Sequence, residues 1–167
     1  MPLGFEKHDH TACIQSALAK ADSYCADKGL QFTKIRRRVL ELLLMEHKAL
    51  GAYDLLGNLS NEGLGTQPPI VYHALDFLVA NGFAHKIEKL NAYSACCHPG
   101  KTHAPVFMIC RRCKCVVETQ TEPLRNFLGT TAKAAGFLIE RTVIEIEGLC
   151  PSCQKAEPAR PYYPLRT

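Results

Sequence analysis

The sequence predicts an α+β chain in two parts, an N-terminal winged-helix unit followed by a smaller α/β unit stapled by a four-cysteine zinc site. Three observations predict it. Apolar residues at helical spacing fill the chain as far as Ala80, two short strand-like runs follow, and two Cys-x-x-Cys pairs then bracket a helix and a strand pattern. The expected divisions are 1–94 for the first unit, 95–157 for the second, and 158–167 for a proline-bearing tail expected to be disordered.

Between Thr11 and Lys28, Ile14, Leu18, Ala21 and Cys25 make a helical stripe, and Gly29 stands where a C-terminal cap belongs. A second helix starts at Thr33, a good N-cap, and shows Ile35, Val39, Leu42 and Leu43 on one face. A short third helix carries Tyr53, Leu55, Leu56 and Leu59 and stops in the Gly63-Leu64-Gly65 loop. The fourth opens on Pro68-Pro69, where a missing N–H costs nothing, and aligns Val71, Ala74, Leu75, Leu78 and Val79 before Asn81-Gly82. Tyr72, His73, Asp76 and Phe77 lie off that stripe. Phe83–Glu88 and Tyr93–Cys96 read as strands around a Leu90-Asn91 turn, and helices followed by a hairpin are the order of a winged helix.

After Cys96 the character changes. Cys97-His98-Pro99-Gly100-Lys101 reads as a loop and a boundary. Val106–Cys110 and Cys115–Glu118 read as strands around a Cys-Arg-Arg-Cys turn, Pro123–Ala135 as a helix ended by Gly136, and Phe137–Glu147 as one long alternating strand.

In a chain of 167 residues, 47% of them apolar, a core can be buried. No run of about 18 apolar residues spans a bilayer and no charged-then-apolar leader opens the chain, so a cytoplasmic protein is expected. The formal net charge of +4 says little about partners. Residues 1–94 carry 10 Lys+Arg against 10 Asp+Glu, and the rest carries 10 against 6. Positive charge in the first unit is concentrated at Lys34, Arg36, Arg37 and Arg38.

Nine cysteines in a reducing compartment point to metal or redox chemistry rather than a disulfide framework, and the odd number agrees. Cys110-Arg-Arg-Cys113 and Cys150-Pro-Ser-Cys153 each let one turn supply two thiolates, and four thiolates suit tetrahedral zinc. Such a site is closed and belongs to folding, not catalysis. Two separate redox motifs are the bland alternative. Cys13 and Cys25 are most simply helix thiols.

A second, mixed set brackets the boundary: His85, Cys96, His103 and Glu118, with Cys97, His98 and Cys115 near enough in sequence to replace a member. Singly, each is an ordinary surface or core residue. A metal held by all four would take ligands from both units and fix the angle between them, which is the geometry of a sensor.

These residues resemble the ferric uptake regulator family, and within it the zinc-responsive branch. The resemblance runs through Ala52-Tyr53-Asp54-Leu55-Leu56, PPIVYHALDFL at 68–78, Asn81-Gly82-Phe83 and His85-Lys86-Ile87-Glu88. It continues through Tyr93, Cys96, His103, Phe107, Cys110-Arg-Arg-Cys113, Glu118 and Gly148-Leu149-Cys150-Pro-Ser-Cys153. It implies a non-enzymatic zinc-responsive repressor: a homodimer on a double-stranded DNA operator, with a DNA-binding and a dimerisation domain per chain. It implies two zinc ions per chain, a structural one on Cys110, Cys113, Cys150 and Cys153 and a regulatory one on His85, Cys96, His103 and Glu118. The thiolate in the second set favours zinc over the harder iron and manganese. Helix 68–80 would enter the major groove with Tyr72 and His73 near base edges, while Tyr53, Lys34, Arg36 and Arg37 approach phosphates.

Three departures mark this chain. Thr33-Lys34-Ile35-Arg36 replaces the family's Thr-Pro-Gln-Arg, and Tyr72-His73 replaces Tyr-Arg, which removes a bidentate guanine contact. Leu56-Gly57-Asn58-Leu59-Ser60 lacks the charged pair that can link neighbouring dimers on DNA. The rival readings are a sister regulator of another metal or peroxide, a thiol redox switch on Cys96-Cys97 or Cys113-Lys-Cys115 beside Arg111 and Arg112, and a zinc hydrolase with Glu118 as its base.

Overall fold

The computed structural model describes residues 11–45, 48–99, 103, 105–120 and 122–156. The tail expected at 158–167 lies outside these residues.

Helix α1 (Thr11–Asp27) buries Leu18, Ala21 and Cys25. It ends where Gly29 takes a left-handed φ of 64°, which lets the Leu30 N–H reach the Cys25 carbonyl at 2.8 Å. Helix α2 (Lys34–Met45) is capped as expected, with Thr33 Oγ1 accepting from the Arg36 N–H at 3.3 Å. Helix α3 (Ala52–Asn61) starts with Asp54 Oδ2 accepting from the Gly51 N–H at 3.1 Å. Helix α4 (Pro68–Ala80) carries its prolines in the first turn and buries Val71, Ala74, Leu75 and Leu78. Val79 sits at stripe spacing but is exposed, so the buried arc is narrower than the sequence suggested. The four helices close one core with Phe83, Ala84 and Tyr93.

Strands β1 (Ala84–Ile87) and β2 (Ala92–Ala95) form an antiparallel wing. A 3-10 turn, Glu88–Leu90, joins them, completed by Asn91 in the left-handed region. A second sheet has the order β4-β3-β5. Strand β3 (Pro105–Cys110) pairs antiparallel with β4 (Val116–Gln120) and parallel with β5 (Ile144–Gly148). Helix α5 (Glu122–Ala134) makes the crossover, and a short α6 (Pro151–Gln154), absent from the sequence reading, ends the described chain.

One element is shorter than expected. The strand read over Phe137–Glu147 forms only from Ile144, where β3 is alongside to pair with it. Residues 137–143 have alternating apolar side chains but no neighbouring strand among the described residues, so their pattern exposes Phe137, Leu138 and Val143 instead of burying them.

The two sheets meet. Ile87, at the end of β1, is fully buried against Phe107, Ile109 and Val116, with Ala49 and Leu90 packed around them. Backbone bridges pair Lys48 with Cys115 and Leu50 with Tyr93, so residues 48–50 touch both units. No described helix is long and apolar enough to cross a membrane.

Candidate metal centres and nucleic-acid interface

The four-cysteine cluster follows from strand direction. Because β3 and β5 run parallel, with Cys110 opposite Gly148, both Cys-x-x-Cys turns leave the same end of the sheet. Lys114 takes a φ of 60° to close the first turn, donating its N–H to the Cys110 carbonyl at 2.9 Å. Cys150 caps the first turn of α6, which brings Cys153 back toward it. The four Sγ atoms lie within 4.8 Å of one another, and Cys113 and Cys150 are 3.7 Å apart. Burial raises the thiol of Cys110, but N–H donors from Cys113, Cys150 and Arg112 outweigh it and hold that group down at about 6. Cys153 is pushed up to about 12 by desolvation and by its sulfur neighbours. Without a cation the cluster favours one thiolate over four, and a divalent cation removes that conflict.

The mixed cluster follows from pleating. In the wing register His85 faces Ser94, so Cys96, two residues further along, falls on the same face as a diagonal neighbour of His85. From the other side come Glu118, in the middle of β4, and His103. The four ligand atoms lie within 4.8 Å of one another. His103 Nε2 is 2.8 Å from Glu118 Oε1 and 3.5 Å from Cys96 Sγ, and His85 Nε2 is 3.7 Å from Glu118 Oε2. The Glu118 side chain is only 2% exposed.

Two features show that this donor set fits a cation. His85 Nε2 is buried without a hydrogen-bond partner, a costly arrangement for a polar atom unless a ligand completes it. Burial also lowers the His85 pKa, against Glu118, which keeps the imidazole neutral with a lone pair to donate. The Cys96 thiol is pushed up to about 12, first by burial and then by the Glu118 charge. Uncompensated, a buried thiolate and carboxylate repel each other; around zinc they are complementary.

Of the neighbours that could have replaced a ligand, none joins either group. The Cys97 N–H donates to Glu118 Oε2 at 2.9 Å and the His98 N–H to Cys96 Sγ at 3.3 Å, so this loop orients two ligands through its backbone. Nothing in the side-chain sequence signals that role. His98 Nδ1 stands 3.9 Å from Glu118 Oε1, half exposed at the rim. Cys115 lends its carbonyl to the Cys110 N–H, and its thiol is raised to about 11 by burial.

The residues expected at DNA divide into two groups. Tyr53, Tyr72, His73 and Lys34 are exposed, with Tyr72 and His73 adjacent on the open face of α4. The arginines are half-buried and also contact neighbouring side chains. Arg36 stacks 3.7 Å over the Phe77 ring of α4, Arg37 pairs with Asp22 of α1, and Arg38 forks onto Glu62 while reaching Glu41.

A model of the ferric uptake regulator family matches residues 27–147. The zinc uptake regulation protein of Escherichia coli (strain K12) is 39% identical over 147 residues, 87% of this chain and 86% of that protein. The solved structure of a zinc uptake regulator complexed with zinc and DNA superposes with a TM-score of 0.82 at 39% identity, covering 86% of this chain and 97% of that one. The crystal structure of holo XcZur gives 0.76 at 40% identity, covering 84% and 98%.

Proposed function

Since the chain belongs to the ferric uptake regulator family, we propose that it is a zinc-responsive transcriptional repressor that binds an operator as a homodimer and controls zinc uptake. One observation carries the reading: ligand atoms from the wing, His85 and Cys96, converge within 4.8 Å with His103 and Glu118 of the second unit. The units 1–94 and 95–157 are the moving parts in this proposal, with Cys96, at the boundary and one residue past the end of β2, moving with the wing. Bound zinc supplies a four-coordinate anchor that both units share. His85 and Cys96 hold the wing to it, and His103 and Glu118 hold the second sheet. The free chain samples several angles between the units, and occupancy selects the one whose two recognition helices fit half-sites about one helical turn apart. The likeness to a DNA-complexed regulator supports this arrangement as the competent one.

The Cys110, Cys113, Cys150 and Cys153 cluster serves as the staple of the second unit, holding the other zinc. Tyr72 and His73 face base edges, and Tyr53, Lys34, Arg36 and Arg37 face phosphates. Phe127, Phe137, Leu138 and Ile146 of the second unit are each more than half exposed, apolar side chains that a homodimer through this unit would cover. Among regulators that sense different metals, the Cys96 thiolate favours zinc.

The test is operator binding by the full chain, carrying one or two zinc ions, to a duplex selected from a random pool. Binding should appear with the second ion. Equal affinity at both loadings, or a response to iron or manganese but not zinc, overturns the reading.

A further inference from the structure

We infer that Glu145 is a positioning residue of the hinge, a tie that completes the orientation of the wing against the second sheet in the zinc-bound arrangement. The inference deepens the proposed DNA-binding function and rests on it. Glu145 lies on β5 opposite Phe107, yet both its carboxylate oxygens reach across to the wing. Oε1 accepts from the Glu88 N–H at 2.6 Å and Oε2 from the Lys89 N–H at 2.9 Å. These donors open the 3-10 turn at the tip of β1, where backbone N–H groups have no partner inside the turn. A carboxylate bridging two adjacent amides is charge-assisted and fixes direction as well as distance.

The consequence is geometric. A single shared anchor at His85 and Cys96 leaves the wing free to swivel about that point. Glu88 lies three residues beyond His85, about 10 Å away along an extended strand. A second attachment there converts a pivot into a fixed axis, and the buried Ile87 lies between the two. Exposed ion pairs surround the tie, Arg141 with Glu88 at 2.9 Å and Lys89 with Glu147 at 3.3 Å, but such pairs contribute little alone.

The experiment uses the full zinc-loaded chain. Glu145→Gln keeps the volume but sets its NH2 group against an N–H donor and removes the charge; Glu145→Ala removes both bonds. Both variants should retain two zinc ions per chain, exchange the Glu88 and Lys89 amides about tenfold faster, and bind the operator about tenfold more weakly. Glu147→Ala, which removes only a rim pair, should bind like the unsubstituted chain. Unchanged operator affinity despite released amides overturns the inference, as does loss of zinc or an equal loss in Glu147→Ala. A chain whose DNA binding ignores zinc overturns the zinc-switch reading instead. Glu145 is then still judged by these variants, because amide exchange at Glu88 and Lys89 reads its tie directly.

Discussion

Both ligand clusters bring their donor atoms within 4.8 Å of one another, yet they are built differently. All four sulfurs of the cysteine cluster leave one end of one sheet, delivered by parallel neighbours β3 and β5. The mixed cluster draws two ligands from the wing and two from beyond it. A cluster whose ligands share one rigid element can only hold that element together. A cluster whose ligands belong to two bodies registers their relative position, and its occupancy changes how they are disposed. Number and spacing of ligands do not separate a staple from a switch; the connectivity of the elements behind them does.

The hardest test of this contrast is to remove one ligand from each. Cys113→Ser should abolish folding of the second unit, because structural zinc sites are worth on the order of 10 kcal/mol. Circular dichroism and zinc content would show it, and a cooperatively folded variant still holding both ions would erase the distinction. Cys96→Ser should leave the fold and one zinc in place while operator affinity drops by about a hundredfold or more, toward the one-zinc level, by the arithmetic of population shifts. A Cys96→Ser chain that unfolds would make the mixed cluster a staple too.

Acidity sharpens the comparison further. Burial and Glu118 hold the metal-free Cys96 thiol at about 12, so zinc uptake at the mixed site must release that proton. His85, lowered by burial, is already neutral near pH 7 and releases none. Zinc affinity there should therefore rise about tenfold per pH unit between about pH 7 and 8, a slope near one by competitive titration. A flat profile would mean that Cys96 is not a ligand. The smallest effect is expected from Lys34→Ala, which touches neither cluster. It should weaken binding to all DNA sequences alike, reduce the salt slope by about one, and leave the zinc dependence unchanged. Dependence of the Lys34→Ala effect on zinc loading would place that residue in the switch.

Much of this was legible in the sequence, and for a common reason. Helix stripes, the Thr33 cap, the Gly29 and Gly82 stops and the two Cys-x-x-Cys turns are local, decided by residues within a turn or two of each other. The alternation of 137–147 was equally local, but a strand also needs a partner, and only 144–148 found one in β3. Charge was the least informative signal. Lys34 and Arg36 to Arg38 read as one basic cluster, but only the fold decided that the arginines would also contact Phe77, Asp22, Glu41 and Glu62.

By itself, then, the sequence determined which residues can chelate, where helices start and stop, and that the chain resembles a family of metal regulators. The tertiary structure decided that His85, Cys96, His103 and Glu118 meet, that backbone N–H groups of Cys97 and His98 orient two of them, and that Glu145 clasps the wing. The physical reason is range. Capping and periodicity act over a few residues, whereas a Glu145 oxygen and the Glu88 amide are 57 residues apart in the chain and become neighbours only once both sheets have packed on Ile87.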